Sequence, residues 1–147
     1  MSDRIQELFL FDIIIAIQKV RYVANKFDNG DDLQFDFLHW DTMIKEFEII
    51  GEAMNYCLKF KLLEDNHLRE KRKIVDFRSI LVHNYFGMDA DEVLNIARSD
   101  KLTWLENLIL ERISQIDDNL KNELKEEMIN ENKHLDFVLT ALKGIKL

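Results

Sequence analysis

Apolar residues recur along the chain with helical spacing in five stretches. The first runs from about Asp3 to Phe27, with Ser2 able to cap its start. Ile5, Leu8, Phe9, Ile13, Ala16, Ile17, Val20, Ala24 and Phe27 follow the helical period. Phe11, Ile14 and Ile15 widen the stripe, so more than one face should be covered. Asn29-Gly30 signals a turn, and Asp31-Asp32 is expected to continue the loop. A second helix spans about Phe35 to Leu62, with a break expected near His39 to Asp41. Its face is Phe37, Leu38, Trp40, Met43, Ile44, Phe47, Ile50, Ala53, Met54 and Cys57. Gly51 lies mid-helix, where it costs about 1 kcal/mol relative to Ala; close approach of another helix would explain it.

After the polar run Glu64 to Lys73, a third helix is expected to carry Ile74, Val75, Phe77, Ile80, Leu81, Val82 and Phe86 as core candidates, stopping at Gly87. A fourth stretch opens at Asp89-Ala90-Asp91-Glu92, an N-cap with an acidic residue three further on. It breaks near Asp100 and continues from Leu102 to Ile116. Trp104, Leu105, Leu108, Ile109 and Ile113 supply its face. The fifth, Asn119 to Leu147, is charged early and apolar late, with Leu120, Leu124, Met128, Leu135, Val138, Leu139 and Leu142 as a looser stripe. The expected architecture is all-α, an antiparallel four-helix-type bundle with an additional C-terminal helix. A single domain is expected over 1–147, with a core over 1–118 and an extension over 119–147.

Composition narrows the class. The chain has 147 residues, 47% hydrophobic and 33% charged, which suits a soluble globular domain with a real core. It has no proline, so little interrupts long helices. A lone cysteine, Cys57, forbids an internal disulfide and fits a reducing, cytoplasmic setting. No stretch is apolar for long enough to span a bilayer, so no membrane partner is expected. The net charge of −8 argues against a protein that coats nucleic acid, unless positive charge is local.

Candidate chemistry concentrates between Phe77 and Asp89. Arg78, His83 and Tyr85 are polar residues set in an apolar helical run, and such residues need partners or a site. Arg78 and Tyr85 fall within about 20° of one another around a helix, whereas His83 lies about 140° from Arg78. A straight helix cannot converge all three; a distorted last turn or a second copy of the segment could. Arg offers a permanent cation shaped for phosphate oxygens. His exchanges protons near neutral pH. Tyr brings a hydroxyl and a ring able to stack on a base. The set suits cleavage of a phosphodiester by the RNA's own 2′-OH.

The spacing R-x-x-x-x-H-x-Y, the block Phe47-Glu48-Ile49-Ile50-Gly51-Glu52-Ala53 and the run Tyr85-Phe86-Gly87-Met88-Asp89 together resemble HepT-like ribonuclease toxins of the HEPN superfamily. The resemblance covers roughly Phe9 to Ile116. It implies a metal-independent endoribonuclease toxin of a type VII-like toxin–antitoxin pair, without a cofactor, acting as a homodimer with a composite site at the interface. Arg78 and His83 would be the catalytic pair. Tyr85 would be the residue silenced when a cognate minimal nucleotidyltransferase antitoxin attaches AMP to it; the added phosphate brings charge and bulk into an RNA cleft. Counting supports the dimer as well. Cleavage through the 2′-OH benefits from a base and an acid, and each chain offers one motif histidine; two apposed Phe77–Gly87 segments would supply two. The chain departs from the family's usual pattern in lacking an upstream Pro and in its longer C-terminal tail.

Supporting residues are less specific. Ser79 and Asn84 neighbour the motif as donors. Glu48 and Glu52 share a helix face and could orient a base, ligate a metal or pair with a cation; if Glu52 is buried, Arg78 is its natural partner. Arg69, Lys71, Arg72 and Lys73, with Lys59 and Lys61, form the concentrated basic region and could track an RNA backbone into the site, or simply solvate a helix start. Two E-x-x-H runs, Glu64 to His67 and Glu131 to His134, lie in polar stretches, and no metal site is expected from them. The competing function is a non-catalytic helical partner that presents substrate to a nucleotidyltransferase.

Overall fold

The computed structural model describes residues 5–84 and 87–146. Among the described residues the secondary structure is entirely helical: α1 (Leu8–Ala24), α2 (Gly30–Phe35), α3 (Phe37–Lys59), α4 (Leu68–His83), α5 (Ala90–Ala97), α6 (Asp100–Ser114), α7 (Asp118–Glu131) and α8 (Asp136–Lys143).

The wide apolar stripe of α1 makes it the central element. Leu10, Phe11, Ile13, Ile14, Ile17 and Val20 are buried around its circumference. It packs on α3, α6 and α8. Cross-helix pairs give the directions. Lys19 lies 3.8 Å from Glu46 at one end of the α1–α3 seam, and Phe9 stacks on Tyr56 at the other. Glu106 accepts from Gln18 and Arg21, while Arg21 also reaches Thr103. Both seams are therefore antiparallel. In the α3–α4 seam Phe47 meets Phe77 edge-on at 5.4 Å and Gly51 faces Arg78 and Ile74. The expected antiparallel bundle is present.

Side-chain caps decide several boundaries. Asn29 does not simply turn the chain: its side chain accepts from the Asp32 amide at 2.9 Å and starts α2, so Asp31 and Asp32 are helical rather than loop. The break before α3 falls at Asp36, not at 39–41, because the Asp36 carboxylate accepts from the His39 amide and caps the long helix. The His39 ring lies 2.9 Å from the same carboxylate and holds its pKa below the usual value. Asp89 caps α5 as its sequence signature implies, accepting from the amides of Asp91 and Glu92. The tail is two helices, not one; α7 begins on Asp117, and α8 packs back on α1 with Phe137 stacked on Tyr22 at 4.4 Å.

Candidate active site

Helix α4 carries the motif, and α3 is its main packing partner. One side of α4 follows from that contact. Leu81 and Lys71 are buried, Ile74, Val75, Phe77 and Arg78 partly so, and Ile80 and Val82 remain 47% and 49% exposed. The expectation that Ile80 and Val82 belong to the core is thus corrected: with one neighbouring helix, α4 buries one narrow face. The helix also ends earlier than expected. Its last residue is His83, with Asn84 as C-cap, and the Gly87 amide donates to the Asn84 carbonyl.

The opposite face is polar and continuous. Arg69, Arg72, Asp76, Ser79 and His83 are spaced three and four residues apart and all are exposed. They form a single stripe about 20 Å long, with His83 at its end. His83 is open to solvent in the last turn of α4. A packed core histidine is therefore excluded.

Arg78 sits on another flank. Its stem is clamped on Gly51 of α3, and its Nε is buried with no hydrogen-bond partner among the described residues. Glu52 is exposed, so the condition for its pairing with Arg78 is not met. Arg78 and His83 lie on separate sides of α4 and do not converge within one chain. Ser79 shares the face of His83, one turn before it; Asn84 is exposed just after it. Tyr85 and Phe86 lie outside the described residues.

The basic run divides. Arg69, Arg72 and Lys73 reach the surface. Lys71 does not: it is fully buried, and its Nζ donates to the Glu64 carbonyl at 2.7 Å and to Asn66 Oδ1 at 3.0 Å. Burial pulls its pKa below the ordinary value. Lys71 secures the α3–α4 loop and is removed from the RNA-facing set. Lys73 and Glu70 stand at the rim of a groove of about 530 Å³ between α4 and α6, floored by Phe77, Ile74, Trp104 and Leu105.

Two burials went unread in the sequence. Glu46 is buried on the α1 side of α3, and desolvation raises its pKa despite Lys19 nearby. Its position between Met43 and Ile50 in the apolar stripe was the available signal. Lys121 is buried too, and its Nζ donates to the Ser114 carbonyl. Both E-x-x-H runs are exposed, Glu64 and His67 in a loop, Glu131 and His134 at the end of α7.

The molecule is thus an antiparallel all-helical bundle whose α4 holds Arg78 and His83 on separate sides. The chain belongs to the HepT-like ribonuclease family, whose profile matches residues 13–112. It is 30% identical over 106 residues to "Putative RNase MJ1380" of Methanocaldococcus jannaschii, covering 68% of this chain and 90% of that protein. It is also 28% identical over 117 residues to "Gamma-glutamylcyclotransferase and putative RNase MJ0434" of the same organism, covering 79% of this chain. There it spans about half, 51%, of the relative's length. No solved structure matches. Helix α7 and helix α8 lie beyond the matched region.

Proposed function

We propose that this chain is a metal-independent endoribonuclease that works as a homodimer, with Arg78 and His83 from two α4 helices lining one cleft. The observation that carries the reading is the exposed His83 at the end of a polar stripe that includes Arg69 and Arg72, with Arg78 on another side of α4 and its Nε unsatisfied. One protomer offers one proton-exchanging group, while 2′-OH attack uses two. In the cleft, one His83 takes the proton of the 2′-OH. The freed oxygen attacks phosphorus, the P–O5′ bond breaks, and the partner's imidazolium returns a proton to the leaving O5′. Arg78 stabilises the negative charge that builds on the phosphoryl oxygens. The products are a 2′,3′-cyclic phosphate and a 5′-hydroxyl end.

The same reading extends to regulation. The chain is the toxin of a type VII-like pair, and AMP transfer to Tyr85 by a minimal nucleotidyltransferase silences it. Phosphate attached two residues after His83 in sequence would compete with RNA for the same positive charge. Arg69, Arg72 and Lys73 lead the RNA backbone toward the cleft.

Expression of the chain without an antitoxin tests this. Wild type is expected to slow growth and to cut RNA with chelator present. His83→Ala and Arg78→Ala should each lower the rate by at least about 100-fold. Light scattering should show a dimer. Variants that cut as fast as wild type, or a wild type that cuts nothing, would leave the chain as a non-catalytic partner of the nucleotidyltransferase.

A further inference from the structure

We propose that Gly51 is a positioning residue for Arg78: the bare backbone of α3 at this point sets where the guanidinium can stand. The inference rests on the role given to Arg78 above. Glycine in the middle of a 23-residue helix weakens it, so its presence needs a reason. The reason lies across the seam. A Cβ at position 51 would overlap the Arg78 Cβ and would stand 3.2 Å from the Arg78 Cγ and from the Ile74 carbonyl oxygen.

None of these atoms is the far end of a flexible chain. The first two are the root of the Arg78 side chain and the third is backbone, so no rotamer change relieves the overlap. Helix α4 itself would have to move, by roughly 1 Å, before ordinary carbon contact returned. The edge-on pair Phe47–Phe77 fixes the same seam one turn along α3.

Among the described residues, no hydrogen bond to Arg78 Nε supplies a restraint of this kind. Arg78 Nε is buried yet unpartnered among the described residues, and Glu52 beside Gly51 is exposed. A bidentate ion pair would usually aim an arginine fork. Here packing at Cβ and Cγ aims it, and that packing exists because residue 51 has no side chain. Misplacing a charge-stabilising group by 1 Å lowers rate more than affinity.

Single-turnover cleavage of an RNA oligonucleotide by the full purified chain tests the inference. Gly51→Ala is expected to lower the rate about 10- to 100-fold while changing substrate affinity less than about threefold. Combined with Arg78→Ala it should add almost nothing, because the group it misplaces is already gone. Phe47→Leu, which loosens the seam without overpacking it, should lower the rate several-fold and covers the case in which Gly51→Ala fails to fold. Ile109→Val, a core change in α6 away from this seam, should keep the wild-type rate. A wild-type rate in both seam variants would overturn the proposal. So would an equal loss from Gly51→Ala with and without Arg78, or an equal loss in Ile109→Val. The underlying reading fails differently: wild type does not cut, or Arg78→Ala cuts as well as wild type.

Discussion

Lys71 and Arg72 are adjacent in sequence and opposite in role. Composition groups them as one basic run; the helix turns one inward to tie the Glu64–Asn66 loop and the other outward along the line that ends at His83. Arg72→Ala should therefore weaken RNA binding and reduce the slope of log K against log salt by about 0.7, one phosphate contact on a single strand. Lys71→Met should leave that slope unchanged and lower thermal stability instead. Titration of binding against salt, beside a melting curve, separates the two.

Glu46 makes a residue-scale prediction of another kind. Burial holds its folded pKa above the ordinary value of 4.5. Between those two pKa values the folded chain binds more protons than the unfolded one, so stability falls as pH rises through that window. Above that window the desolvation of the carboxylate opposes folding. Glu46→Gln is expected to melt higher than wild type at pH 7, with the gap narrowing as the pH drops toward 4.5. A variant that melts lower than wild type at pH 7 would show that the Lys19 contact outweighs the desolvation. Cys57, buried on the same helix with its thiol pushed up to about 12, has no thiolate to offer at neutral pH.

At the scale of elements, sequence patterning succeeds where capping is local and misses where one element leans on another. Asp89 announces α5 because its side chain and the amides it binds are neighbours in sequence. The short α2 was missed because six residues hold no periodicity of their own. Beside the local Asn29 cap, its start is held by contact with α5: the Gly30 amide donates to the Asp91 carboxylate at 2.6 Å, across 61 positions of sequence. A Cβ at Gly30 would overlap the backbone at Ala90 and Asp91, and neither atom can swing aside. Gly30→Ala should destabilise by about 1–3 kcal/mol through overpacking, readable as a lower denaturation midpoint with cleavage chemistry intact. The exposed flank of α4 belongs to the same lesson. Ile80 and Val82 are as apolar as Leu81, and only the number of neighbouring helices leaves two of the three in solvent.

The whole molecule is built around α1, which α3 and α6 cover within the family-matched region and α8 covers beyond it. We propose that residues 119–147 complete the core of one domain and are not a detachable tail. Val138 and Leu142 are buried, Phe137 stacks on Tyr22, and Lys125 donates to the Ile145 carbonyl at 2.7 Å to close α7 on α8. A chain ending at residue 118 is expected to melt more than about 5 °C lower and to bind a hydrophobic dye in its native state. An unchanged melting point would mark the extension as an independent appendage. No helix of the described chain is long and apolar enough to cross a membrane.

Helical class, the Asp89 cap and the Arg-x-x-x-x-His spacing were legible along the chain because each depends on residues a few positions apart. Period, cap and motif are short-range properties. Burial and convergence depend on which elements meet. Only the packed structure turned Lys71 inward and His83 outward, left α4 with one close partner, and set Arg78 against Gly51. The physical reason is that a side chain's surroundings are fixed by contacts far away in sequence, and those contacts exist only once the helices have been brought together.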